Sequence, residues 1–129
     1  MIKNKKIEFA DNPSTPVEAL AQLARDTVSH VRCNVAQNTS TPPEILTELA
    51  RDEDSTVRQL VAQNTSTPPE VLAQLARDRD CDVRWRVALN SSTPLEVLLI
   101  LMVDDDRGVR GAAERALSKR ALCTHQSGG

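Results

Sequence analysis

The sequence has no tyrosine, one tryptophan and one phenylalanine among 129 residues. So few rings offer no row of stacking faces for single-stranded nucleic acid. Basic charge is not in excess either: sixteen Lys and Arg stand against eighteen Asp and Glu, for a formal net charge of −2. That balance lacks the basic footprint of a nucleic-acid binder and argues against such a partner. Only four glycines occur, and none builds a glycine-rich phosphate loop. The longest apolar run, 97–103, is seven residues and too short to span a bilayer. The first eight residues carry charge with no apolar stretch after them, so no secretory signal is expected. Cys33, Cys81 and Cys123 form an odd, widely spaced set, which predicts free thiols in a reducing cytoplasm.

Chemistry-bearing clusters are equally scarce. His30 and His125 have no neighbours at metal-ligand spacing, and no Ser/His or Cys/His arrangement suggests a nucleophile. Asp104, Asp106 and Gly108 share the spacing of the start of a calcium loop. The remaining ligands and the twelfth-position Glu are missing, so helix capping is the expected role. No catalytic residue, cofactor or metal follows from these residues, and no enzymatic activity is expected.

What the chain has instead is a repeat. In blocks of 26 residues it aligns without a gap as 12–37, 38–63, 64–89 and 90–115, and blocks two and three share 17 of 26 residues. Phe9-Ala-Asp-Asn12 matches Val35-Ala-Gln-Asn38, so half a repeat precedes block one and the array holds about four and a half. Self-similarity at such a period is the mark of stacked units that bury their apolar sides on each other. One repeat domain over 1–123 is expected, with a disordered tail at 124–129.

Each block carries a helix signal. Thr15, Thr41, Thr67 and Thr93 precede a proline, and Glu18, Glu44, Glu70 and Glu96 follow three residues after the Thr. The pattern predicts a capping box, Thr accepting from the N3 amide and Glu reaching back, with Pro at the first helical position. At about 100° per residue, Val71, Leu72, Leu75 and Ala76 share one face, and Ala73 and Gln74 lie opposite. A shorter second helix reads V-R-x-x-V-A at 31–36, 57–62 and 83–88, about two turns that are either α or 3₁₀. No segment alternates with period two, so strands are not expected. The predicted fold is all-α, an α-α superhelical solenoid of paired helices.

The unit N-x-S-T-P-P-E-x-L-x-x-L-A-R-D…V-R-x-x-V-A resembles the leucine-rich repeat variant, a bacterial helical repeat, over 9–113. The resemblance implies alternating α- and 3₁₀-type helices in a right-handed superhelix without β-structure. The L-x-x-L-x-L strand signature of ordinary leucine-rich repeats is missing. The best-known member of the family holds an iron–sulfur cluster in a cysteine-rich N-terminal domain. Only eight residues precede Phe9 here, none of them cysteine, so the cluster is not carried over. A looser kinship to HEAT-like repeats implies similar geometry.

Within that frame, Arg32, Arg58, Arg84 and Arg110 recur in phase, as do Asp26, Asp52, Asp78 and Asp104. An internal ion-pair ladder is the expected reading, since guanidinium groups flanking a buried face want carboxylates. The alternative is an Arg stripe for nucleic acid, as in some HEAT-like proteins, which requires solvent-facing arginines. Asn12, Asn38, Asn64 and Asn90 read as turn residues that bond loop backbone.

Positions that vary on the second helix are the candidates for binding an unidentified protein partner: Trp85, Arg86, Leu60, Gln59 and Asn34. Trp beside Arg on an exposed helix face is the composition of a binding hot spot. The loops 53–56, 79–82 and 104–107 are mostly acidic, for a basic partner or for helix capping. In block four, Leu99, Ile100 and Val103 replace polar residues, which leaves three explanations. The segment 109–122 folds back over them, the patch is a homodimer or partner interface, or the chain is a fragment of a longer array.

Overall fold

The computed structural model describes the backbone of residues 2–128 and the side chains of residues 5–122. Among these, nine α-helices and no strand are present: α1 (Ile2–Asp11), α2 (Val17–Leu23), α3 (Ser29–Gln37), α4 (Pro43–Leu49), α5 (Ser55–Gln63), α6 (Pro69–Leu75), α7 (Cys81–Leu89), α8 (Leu95–Leu101) and α9 (Arg107–Gly128). They form two rows. The odd-numbered helices pack directly on one another along the stack, and each even-numbered helix leans on the odd-numbered helices beside it. Helix α1 occupies the place of a second helix, as the half-repeat at Phe9 predicts. The disordered tail expected at 124–129 falls outside the residues described in full; the backbone of α9 runs helical to Gly128.

The core runs without interruption through the stack. Leu20, Leu46, Leu72 and Leu98 from the first row meet Val31, Val35, Val57, Val61, Val83 and Val87 from the second in one cluster, all with no exposed area. Each such side chain contributes roughly 1.5–3 kcal/mol on burial, which a lone block cannot secure. Ala73, Gln74, Thr47 and Glu48 face solvent, as the helical angles require.

Two local expectations are corrected. Both helices of each block are α, and the second is the longer, nine residues against seven. Three-residue bonds occur at the helix ends, as from Arg51 N to Glu48 O, and in the turns between helices, as from Thr41 N to Asn38 O. The threonines also do not cap the helix that follows them. Pro16, Pro42, Pro68 and Pro94 take the N-cap position, without any side-chain cap bond. Each Thr hydroxyl instead donates backward: Thr41 to Val35 O at 2.7 Å, Thr67 to Val61 O and Thr93 to Val87 O at 2.6 Å, and Thr15 to Phe9 O. A helix ends with carbonyls that lack intrahelical donors, and here those ends are buried. The hydroxyl is the nearest donor, so it closes the preceding helix.

The asparagines do more than shape a turn. Their Oδ1 accepts from the amide two residues on, at 2.9 Å for Ser66 N on Asn64. Their Nδ2 reaches back across the interface: Asn64 donates to Ala36 O at 2.8 Å and Asn38 O at 3.1 Å, and Asn38 and Asn90 do the same one block away. The result is an asparagine ladder between repeats. At its C-terminal end Arg120 takes over, donating to Thr93 O at 2.6 Å, Ser91 O at 3.1 Å and Asn90 O at 3.4 Å.

The arginine–aspartate ladder is present, and its rungs also join consecutive repeats. Arg32 binds Asp52, Arg58 binds Asp78 and Arg84 binds Asp104, through Nε at 2.8–2.9 Å with Nη2 on the second oxygen. Each Nη1 also donates to the backbone carbonyl of the Asp in its own block. In the half-repeat, Lys6 replaces the arginine and binds Asp26 at 2.9 Å.

The Lys6 ammonium, and then the Val28 amide, hold the Asp26 carboxyl below its ordinary value of 3.8. A carboxylate with a depressed folded pKa stabilises above its unfolded pKa and loses that contribution as pH falls through the folded value. Lys6→Met is therefore expected to lower the melting temperature at neutral pH, with the gap to the parent protein closing below about pH 4. Melting followed by circular dichroism across pH 2–7 checks this, and a gap that stays constant with pH refutes it.

Candidate binding surface on the second helix row

Helix α7 carries the most distinctive exposed surface. Its N-terminus is capped by Asp80, whose carboxylate accepts from Asp82 N at 2.8 Å, and Val83, Val87 and Ala88 anchor it in the core. That rotation turns Trp85 outward at 36% exposure, with the Arg86 guanidinium 5.8 Å from the ring centroid, a cation–π pair. Arg86 Nη1 donates to Gln63 Oε1 on α5, while its buried Nε has no hydrogen-bond partner among the described residues. Leu89, 51% exposed, lies one turn on. Gln63, Trp85, Arg86, Leu89 and Asn90 line a recess of about 260 Å³. Beyond Leu89 a larger groove of about 530 Å³ opens toward α9, with Ala112 and Ala116 at its base and Arg115, Lys119 and Arg120 around it.

The sequence candidates do not all share this surface. Gln59 is half exposed, and Leu60 is partly buried against the core. Asn34 is buried at 8% exposure, and Ala112 at the same phase in block four is buried as well. Assigning a single buried face to the second helix puts this position opposite the core. A helix inside the row has a second-row neighbour on each side and a first-row helix against it, so more of its surface is covered. Leu89 and Gln63 belong to the surface and were not singled out from sequence. The signal was available, since Gln37 and Gln63 give way to Leu89 at one phase of the repeat.

The Arg stripe does not form. Arg32, Arg58 and Arg84 hold carboxylates of the next repeat, and Arg110 donates to Asp104 O and Asp105 O. The acidic loops serve largely as caps: Asp54 accepts from Thr56 N, Asp80 from Asp82 N, and Asp106 from Val109 N. Asp104 accepts from Asp106 N and from Arg84, so its carboxylate too is bound within the fold. The donors of Asp80, Cys81 and Asp82 lie within 4.8 Å of one another. Desolvation, Asp106, Asp82 and Asp80 together push the Cys81 thiol up from its ordinary value. Burial does the same to Cys33, ahead of Asp54 and Asp52.

Of the three explanations for block four, the fold-back holds only for the inner face of α8. Helix α9 packs on α7 and α8, its Val109, Ala112 and Ala113 buried in the same core as Leu98 and Leu101. Leu99, Ile100 and Val103 remain exposed, because α9 continues the second row and does not reach the far side of α8. Among the described residues, no helix is long and apolar enough to cross a membrane.

Comparison with known proteins agrees with this architecture. The crystal structure of an engineered protein from a structural genomics consortium is 25% identical, with a TM-score of 0.54 over 89% of this chain and 71% of that one. The curated proteins include no match. The family model described as leucine rich repeat variant matches at 30–54 and again at 56–80. Those starts are one repeat length apart, and both matches fall on the helix pairs described above. Residues 30–80 thus hold two consecutive units similar to the leucine rich repeat variant, the family that the repeated motif resembles.

Proposed function

We propose that this protein is a non-enzymatic scaffold that binds another protein through the α5–α7–α9 face of the second row. The observation that carries the reading is the Trp85–Arg86 pair beside exposed Leu89, at the edge of two adjoining recesses. Tryptophan and arginine are enriched among residues that dominate binding energy. The stack beneath them is held by core, asparagine and arginine contacts, so little ordering entropy is lost when a partner arrives. The unpaired thiols Cys33 and Cys81 suit a reducing, cytoplasmic setting.

Trp85→Ala is expected to weaken the partner complex by about 2 kcal/mol or more, roughly thirtyfold in Kd, while the melting temperature barely moves. Parallel capture from the source organism's lysate with parent and variant baits reads the difference. Trp85 is the single tryptophan, so its emission reports a titration with the captured protein directly. A melting temperature that falls while capture stays unchanged shows the ring to be packing and rejects the reading.

A further inference from the structure

We propose that two copies of this chain pair through the C-terminal end of the stack, around the exposed side of α8 and the last arginine of the ladder. Two independent observations meet there. The first is an open rung. Arg32, Arg58 and Arg84 each give Nε and Nη2 to a carboxylate of the following repeat. Arg110 sits at the same phase and uses only Nη1, on Asp104 O and Asp105 O. Its Nε–Nη2 edge has no carboxylate among the described residues. The three internal rungs show what that edge binds.

The second is the inter-repeat face of α8. Ala24, Ala50 and Ala76 are buried at 3–5% exposure, whereas Met102 at the same phase is 36% exposed. In block one, Arg25 reaches forward to Glu48 of the next repeat at 2.9 Å. Val103 holds that forward-reaching position in block four and is 80% exposed. Block three shows Ala73, Ala76 and Arg77 where block four shows Leu99, Met102 and Val103, while Ile100 lines the cleft toward α6 at the edge of this face. An outward face at the end of a solenoid is ordinarily polar, and this one has become apolar.

Charge identifies the occupant as a second copy. Beside the apolar centre, exposed Asp105 carries a carboxylate with no partner among the described residues, close in sequence to the open edge of Arg110. Acid and base on one patch complement each other under a two-fold axis, with Asp105 of each copy meeting Arg110 of the other. At the opposite end Lys6 already holds Asp26, so a head-to-tail contact would not offer that ladder carboxylate to Arg110. The pairing does not depend on Trp85, so it stands or falls separately from the scaffold reading.

Light scattering on the full chain tests the proposal. The expected mass is twice the 14.1 kDa of one chain. The quadruple variant Leu99→Ala, Ile100→Gln, Met102→Ala, Val103→Arg copies the block-three face, and is expected to be monomeric with an unchanged helical spectrum. Arg110→Gln and Asp105→Asn should each raise the dimer dissociation constant about tenfold or more, and non-additively in combination. A parent chain that stays monomeric at millimolar concentration overturns the proposal. So does a quadruple variant that still dimerises, or an Arg110→Gln constant equal to that of the parent.

Discussion

Arg58→Met is expected to destabilise the protein by about 3–5 kcal/mol, lowering the melting temperature by roughly 10–20 °C. Arg58 is 5% exposed and donates four hydrogen bonds: two to Asp78, at 2.9 and 3.3 Å, and one each to Asp52 O and Glu53 O, at 2.8 and 3.2 Å. A methionine fills the space of the stem but leaves the Asp78 carboxylate without its cation and two carbonyls without a donor. The cost lies in the uncompensated buried charge more than in the lost attraction. Arg58→Met combined with Asp78→Asn should therefore cost less than the sum of the two single changes. Arg25→Met, at an exposed pair, should change little. Thermal melts of the four variants decide the matter, and a freely additive Arg58–Asp78 pair refutes the coupling.

Asn64→Asp is expected to cost about 2–4 kcal/mol, although it keeps the turn. Aspartate retains the oxygen that accepts from Ser66 N, so the local loop bond at 2.9 Å survives. It loses both donations to Ala36 O and Asn38 O, and sets a carboxylate against two carbonyls in a site where the residue is 4% exposed. Were the asparagines turn residues alone, the substitution would be almost silent. Urea unfolding read by circular dichroism separates the two, and a midpoint equal to that of the parent refutes the ladder as a stabilising element. Amide exchange should show the loss first where the C-terminal ends of α3 and α5 meet, because solenoid stability is a sum of neighbouring contacts.

Much of the fold is legible in the residues. The 26-residue period, the proline-marked helix starts and the Leu72–Leu75 face all lie within one block, and local periodicity determines them. The arginine–aspartate pairing was legible as a pairing of types. Its register was not: Asp52, not Asp26, takes the two-pronged bond from Arg32, and only the stacking distance selects it. The threonines mislead for a related reason. A hydroxyl both donates and accepts, and a buried carbonyl on the preceding helix outcompetes the local amide.

The candidate surface was half legible. Trp85 stands out as the single tryptophan and is exposed, yet Asn34 at the neighbouring phase is buried and Leu60 partly so. Helical angle reports which side of a helix faces its own block, not how many helices flank it.

By itself the sequence determined the repeat, the all-α class, the two helices per block and the apolar side of each, because these follow from periodicity and from the limits on proline. Tertiary structure alone decided which repeat each Arg and Asn reaches, which variable positions the row covers, and which side of α8 stays open. Those outcomes depend on the spacing and angle between neighbouring blocks, and a local pattern of residue types does not encode that distance.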